Sequence, residues 1–178
     1  MTDEAAVTID QECEPCAREA PLDRAKVLVL GLGNPLLGDD SVGLHVAQQV
    51  RMRLAGHREI EVDEDYWGGL KLMERLVGFE RAVIIDAVCA GGEAGTVSVL
   101  SPNDMPTRHS ASAHDVDLCT ALALGRRMGV RLPQDQSVRI VAIEAVDVWT
   151  FTEECTPAVQ AGIAHAVQTV LTLLAEWR

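Results

Sequence analysis

The stretch KVLVLGLGNPLLGDDSVGLHV, residues 26–46, decides the fold that we predict for this chain. It opens with the unbroken apolar run of residues 27–30, which is short and rich in β-branched side chains. Such a run is typical of a strand buried on both faces, as in a parallel sheet. Gly31 and Gly33 follow, and their lack of a side chain allows a sharp turn of the backbone. The stretch therefore begins as a buried strand that ends in a tight turn.

An acidic pair and an amphipathic segment complete this unit. Asp39 and Asp40 stand just before a segment in which Val42, Val46 and Val50 fall on one helical face, together with Leu54. A carboxylate at that point can cap the new helix and is favoured by the helix's positive end. In open α/β sheets, ligands bind at the carboxyl ends of the strands, so we expect the acidic loop to lie at the edge where ligands bind.

The bulk composition restricts the class of protein. The 178 residues fit one domain, and 48% hydrophobic with 24% charged residues is ordinary for a soluble globular protein. A formal net charge of −12 disfavours nucleic acid and anionic membranes as partners. The acidic N-terminus is unlike a signal peptide, and no apolar run approaches the roughly 18 residues needed to span a bilayer. Five cysteines at irregular spacing do not resemble a disulfide framework, and we expect a cytoplasmic location.

Strand and helix patterns alternate along the rest of the chain. Strands are predicted over residues 59–62, 82–85, 96–100 and 138–143, with the edge position expected for 96–100 and with Asp86 interrupting the third strand at its end. Helices are predicted around residues 70–77, 118–128 and 159–174, the last with Thr156 as N-cap and Pro157 in its first turn. We therefore predict an α/β fold: a single-domain three-layer sandwich, with a mostly parallel twisted sheet and helices on both faces. Residues 1–22 are predicted to be an acidic flexible tail and residues 23–178 the domain.

Three polar residues are expected to converge on one edge of the sheet. Asp40 follows the first strand, Asp86 ends the third, and His114 stands before the helix that follows the fourth. Two carboxylates and an imidazole suit a borderline divalent cation such as zinc, nickel, cobalt or manganese. Three protein ligands would leave positions open for a substrate group or water, as in a working site rather than a structural one.

Each of these residues also has an alternative structural role. Asp40 could be only a helix cap, Asp86 a buried acid satisfied by backbone amides, and His114 a surface residue of a first helical turn. The other histidines are expected to be exposed or structurally satisfied. They are His45, His57, His109 and His165.

The cysteines suggest a competing mechanism, that of a cysteine peptidase. Cys89 and Cys119 follow Asp86 and His114 at short spacing, but a nucleophilic thiol needs a base within reach and a lowered pKa. Cys119 is expected in the core of an apolar helix, and Glu144 is a further candidate for the same cleft. Cys13 and Cys16 form a lone pair that cannot make a four-ligand zinc site, so we expect them to be incidental.

Three motifs in fixed order give this chain a resemblance to a known family. VLGLGNPLLGDDSVG at residues 29–43, IIDAV around Asp86 and SAH ending at His114 resemble the endopeptidases that mature the large subunit of nickel–iron hydrogenases. The likeness covers about residues 26–175, and WGG at residues 67–69 matches the family's glycine-bearing loop. Ser41 departs from the glycine that is usual after the acidic pair, which bears on loop geometry more than on function.

The resemblance implies a specific activity. Such enzymes remove a short C-terminal extension from the hydrogenase precursor after nickel has been inserted, and they recognise the precursor through that nickel. By motif match, the nickel ligands, and the residues on which catalysis depends, would be Asp40, Asp86 and His114. Nickel would be carried by the substrate, and the partner would be the hydrogenase large-subunit precursor.

Three other functions fit parts of the sequence. GLGNPL supplies two glycines of a dinucleotide-binding fingerprint, but Leu36 stands in place of the third, and the acid expected about twenty residues later is missing. Peptidyl-tRNA hydrolases share the strand and GLGNP, but here LLGDDSVG follows in place of that family's tyrosine and histidine–asparagine pair. A non-catalytic metal-binding chaperone of a metalloenzyme would use the same three ligands.

Overall fold

The computed structural model describes residues 26–104 and 118–177 of the chain. Several sequence predictions therefore concern residues outside the described part: the tail 1–22 with Cys13 and Cys16, His109, and His114. Within the described residues, strands and helices alternate, except that the third strand is followed directly by the fourth. The strands are β1 Val27–Leu32, β2 Ile60–Asp65, β3 Arg81–Val88, β4 Val97–Leu100 and β5 Val138–Glu144. The helices are α1 Val42–Arg53, α2 Gly69–Arg75, α3 Leu118–Arg127 and α4 Pro157–Glu176.

The described strands form one mixed sheet in the order β2-β1-β3-β5-β4. The first four are parallel, and β4 joins β5 in the antiparallel direction at the edge. Parallel strands end on the same side of a sheet, so the loops that follow β1, β2, β3 and β5 all leave from one edge. We call this the carboxyl edge. The predicted α/β fold with a mostly parallel sheet is confirmed.

Alternation along the central strands divides the core into two layers. Val29, Val83 and Ile143 belong to a buried cluster with α1 and α4. Leu30, Ile84 and the residues next to them on the same face pack with α2 and α3. Because side chains alternate between faces with a period of two, helices cover both sides of the sheet. This is the three-layer arrangement expected from the sequence.

Two strands run further than the sequence pattern predicts. The acidic residues 63–65 belong to β2, because backbone pairing with β1 continues as far as Leu32 opposite Asp65. Arg51 and Arg75 also form ion pairs with acidic side chains of this edge strand. Asp86 does not interrupt β3, which continues to Val88. Its backbone remains in register with Ala142 of β5. In both cases pairing with a neighbouring strand outweighs the local preference of an acid for a loop.

Helix α4 is long and apolar enough to cross a membrane, judged by length and composition alone. From the sequence we expected no segment of that kind. In the structure one face of α4 is used in packing: Val159, Val167 and Val170 are fully buried against α1 and the sheet. A helix that packs in the core of a domain needs the same composition, so packing accounts for the hydropathy of α4.

Candidate active site

The N-terminus of α1 lies directly on the carboxyl edge. A Cβ atom on Gly43 would lie 2.2 Å from the carbonyl oxygen of Leu32 and 2.5 Å from that of Ile85. Only glycine permits this approach of a helix to the ends of β1 and β3. The 3₁₀ turn Gly38–Ser41, which precedes α1, contacts β3 as well. The fold thus places the turn that carries Asp40 beside the strand that carries Asp86.

Asp40 is half-buried and faces the loop that follows β1. Its Oδ2 accepts a hydrogen bond from the backbone N–H of Asn34 at 2.8 Å. Within the described part of the chain this is the one hydrogen bond of the Asp40 side chain. Helix α1 starts after Ser41, whose hydroxyl donates to the carbonyl of Gly38. The structural alternative, in which Asp40 is only a cap of α1, does not hold, because α1 has no side-chain capping bond and the carboxylate is bonded to the preceding loop.

Asp86 is half-buried near the end of β3. Its neighbours Ile85 and Ala87 point to the layer of α1 and α4, so the Asp86 side chain points to the layer of α2 and α3. His114, the third predicted ligand, is four positions before the described start of α3 and lies outside the described residues. Over residues 26–104 and 118–177, no three His, Cys, Asp or Glu side chains are grouped to hold a metal ion. The set of Asp40, Asp86 and His114 thus stays a prediction.

Asp39, the neighbour of Asp40, has a different role. Its carboxylate is fully buried and accepts hydrogen bonds from the backbone N–H groups of Val146, Asp147 and Thr156 and from the hydroxyl of Thr156. Four donors compensate the cost of burying this charge. Asp39 therefore joins the loop after β1 to the loop after β5. The sequence carried no local signal for this role, because the donors are 107 to 117 residues away.

Glu144, the further candidate for the cleft, is the last residue of β5 and lies at the carboxyl edge. Its Oε1 accepts the backbone N–H groups of Ala90, Gly91 and Gly92 at 2.7 to 3.0 Å. The side chain is almost completely buried. A carboxylate that accepts three N–H bonds is occupied in shaping the loop after β3, the strand that carries Asp86. Glu144 is thus a structural support of the site.

The cysteines of the described residues have different surroundings. Cys119 was expected in the core, but it is half-buried and its Sγ donates to Oδ1 of Asn103 at 2.9 Å, because Ala121 and Leu122 occupy the inward face of α3. Cys155 lies 3.6 Å from Oγ of Ser41, and burial raises the pKa of its thiol. A nucleophilic cysteine requires the opposite shift. Cys89 is exposed after β3.

Comparisons with known proteins agree with this architecture. A family model described as HycI, hydrogenase maturation protease, matches residues 44–173. The chain is similar to the hydrogenase 2 maturation protease of Escherichia coli K12, with 27% identity over 154 residues that cover 85% of this chain and 92% of that one. It is also similar to the hydrogenase expression/formation protein HupD of Bradyrhizobium diazoefficiens, with 24% identity, 85% of this chain and 79% of that one.

Solved structures show the same likeness. The hydrogenase maturating endopeptidase HybD from E. coli superposes with a TM-score of 0.70 at 25% identity, covering 85% of this chain and 93% of that chain. The [NiFe] hydrogenase maturation protease HycI from Thermococcus kodakarensis KOD1 has a TM-score of 0.63 at 17% identity, covering 85% and 94%. The second likeness concerns the fold alone. The likeness to HybD, together with the family match, concerns the kind of enzyme as well as the fold.

Proposed function

This chain belongs to the hydrogenase maturation protease family, and on that premise we propose that it removes the C-terminal extension of a nickel-loaded hydrogenase large-subunit precursor. Membership of the family makes the protein a hydrolase, an endopeptidase of hydrogenase maturation. The nickel belongs to the substrate in this proposal. The observation that carries it is the placement of the Asp40 turn against β3, at the edge where the parallel strands end.

We propose that Asp40, Asp86 and His114 contact the precursor's nickel. Two observations support the carboxylates: both are half-buried at the carboxyl edge, and Asp40 is held by Asn34 through one oxygen only. Carboxylate and imidazole ligands suit nickel that is already bound in part by thiolates of the substrate. Three protein contacts leave the remaining coordination positions to the precursor, so that one metal would align its chain on the protease.

In this proposal the protein contributes to the reaction by aligning the precursor. The carboxylates of Asp40 and Asp86 lie at the edge where the nickel ion of the substrate would bind. The attraction between carboxylate and cation is stronger where water is partly excluded. Holding a scissile bond in one orientation can supply a large part of a rate enhancement. Precursor without nickel would lack this anchor, so the protease would discriminate between loaded and empty precursors.

Mass spectrometry of purified nickel-loaded precursor after incubation with the protein tests this function. We expect loss of a C-terminal fragment from the loaded precursor and no cleavage of the nickel-free one. Complex formation without any mass loss would contradict the proposal and would favour the alternative, a non-catalytic metal-binding chaperone.

The same assay tests the three residues. Asp40→Asn, Asp86→Asn and His114→Ala should each abolish processing, whereas Glu61→Gln and His165→Ala, which change exposed residues of β2 and α4, should cleave at the rate of the unchanged protein. An unaltered rate in all three site variants would refute the assignment.

A further inference from the structure

Large apolar side chains are exposed on loops of the carboxyl edge, among them two loops that are bonded to each other. In the loop between β1 and α1, Leu36 is 53% exposed. In the loop between β5 and α4, the exposed fractions are 69% for Val146, 82% for Trp149 and 81% for Phe151. We call these four side chains the loop platform. Exposed aromatic residues that cluster on a monomer are typical of an interaction surface.

The two loops that carry the platform are bonded to each other. The N–H of Thr152 donates to the carbonyl of Leu36 at 3.1 Å, and the N–H of Gly38 donates to the carbonyl of Thr152 at 2.7 Å. The buried carboxylate of Asp39 adds the bonds to Val146, Asp147 and Thr156 described above. The platform is therefore held by the fold, and a partner that binds it avoids most of the entropic cost of ordering loops.

A turn within the second loop orients Trp149. Oδ1 of Asp147 accepts the N–H groups of Trp149 and Thr150 at 3.0 and 2.9 Å. Hydrogen bonds from Thr150, and from the N–H of Trp149, keep the pKa of Asp147 below its ordinary value. The indole thus projects from a turn that also carries a negative charge.

All the charged side chains of these two loops are acidic. Residues 33–41 and 145–156 contain no lysine, arginine or histidine, and besides the buried Asp39 they carry Asp40, Asp147, Glu153 and Glu154. Glu153 and Glu154 are exposed beside Phe151 in the chain. The two loops therefore present apolar and negatively charged side chains. Complementarity favours a partner segment that is apolar and positive.

We propose that the loop platform docks the hydrogenase precursor, and that it receives a segment of that chain in which apolar residues alternate or mix with lysine and arginine. This inference depends on the proposed function, since it extends the same site. Leu36 and Asp40 stand four positions apart on one loop, so a protein whose metal reaches Asp40 comes close to the part of the platform formed by Leu36. Aromatic anchors in a fixed surface beside the chemistry supply affinity for the folded substrate.

Steady-state cleavage of the nickel-loaded precursor separates docking from chemistry. In the double variant Trp149→Ser/Phe151→Ser we expect KM to rise by about tenfold or more, with kcat within about twofold of the unchanged protein. The matched control is Met52→Ser/Met128→Ser, which removes two side chains of 72% and 74% exposure that lie outside both loops. The control should leave both constants unchanged.

A second pair of variants tests the sign of the charge. For the unchanged protein, KM should rise as salt increases from about 0.05 to about 0.3 M, since salt screens exposed charges. Glu153→Gln/Glu154→Gln should weaken this dependence, whereas Glu61→Gln/Glu176→Gln, at exposed positions outside both loops, should preserve it.

The outcomes distinguish the two proposals. If the unchanged protein fails to cleave the precursor, the proposed function is wrong. If it cleaves and Trp149→Ser/Phe151→Ser leaves KM unaltered, or the Glu153 and Glu154 change leaves the salt dependence intact, the docking inference is wrong while the function stands.

Discussion

Thr156 donates two hydrogen bonds to Asp39, a residue 117 positions earlier in the chain. Its backbone N–H lies 2.6 Å from Oδ1, and its hydroxyl lies 3.1 Å from Oδ2. Thr156 is also the N-cap of α4, as the sequence predicted, but its side chain makes no capping bond to that helix. Its hydroxyl instead connects the start of α4 to the turn that carries Asp40.

The adjacent acids Asp39 and Asp40 should respond differently to the same substitution. Asp39→Asn removes a buried charge and directs an amide group at backbone donors, and we expect the free energy of unfolding to fall by about 3 kcal/mol. Asp40→Asn changes a half-buried residue with one described bond, so a loss of no more than about 1 kcal/mol is expected. Urea denaturation measures both values. Equal losses would show that the buried network around Asp39 has been misassigned.

Glu144 should support the loop after β3 through its charge as well as its size. Glu144→Ala leaves the N–H groups of Ala90, Gly91 and Gly92 without their acceptor, at an expected cost of about 2 to 3 kcal/mol. Glu144→Gln retains an acceptor and should cost less. Amide hydrogen exchange at residues 90–92 should accelerate in the alanine variant while exchange in β1 changes little. Unchanged exchange at these three amides would count against the assigned role.

Gly43 should not tolerate a methyl group. Gly43→Ala places a Cβ against the carbonyl oxygens of Leu32 and Ile85, so the helix must move off the sheet, at an expected cost of about 3 kcal/mol. Gly68→Ala is the matched control, because a Cβ there meets no atom within 4 Å, and as an N-cap change it should cost no more than about 1 kcal/mol. Thermal unfolding of both variants tests the difference. A stable Gly43→Ala variant would mean that α1 does not approach the strands as closely as described.

The thiol of Cys155 should react slowly with alkylating agents. Burial raises its pKa, so less thiolate is present at any given pH, and its rate should keep rising above the ordinary thiol pKa of about 8.5. Cys89 is exposed and should be modified first. Iodoacetamide labelling across a pH series, read by peptide mass spectrometry, measures both rates. Equal rates at neutral pH would contradict the expected protection.

Much of the fold followed from local pattern. The apolar runs of β1, β3 and β5 and the periodic face of α4 predicted buried strands and a core helix, and the structure contains them. The ends of elements were less predictable. β2 and β3 both extend through acidic residues, because the decisive energy is pairing with the neighbouring strand, which no local pattern contains.

The candidate site shows the same division. From the sequence alone, Asp40 and Asp86 could be assigned to the carboxyl edge, because parallel strands end on the same side of a sheet. The separate roles of Asp39 and Asp40 could not be assigned, since two neighbouring aspartates look alike until their partners are known.

The sequence by itself determined the alternation of strands and helices, the acidic character of the loops and the family to which the chain belongs. Only the tertiary structure decided which carboxylates accept buried hydrogen bonds, Asp39 from Thr156 and Glu144 from residues 90–92. It also decided that the loop with Leu36 is bonded to the loop with Trp149 and Phe151. The physical reason is range: propensity and periodicity act over a few residues, whereas burial and hydrogen bonding join groups more than a hundred residues apart.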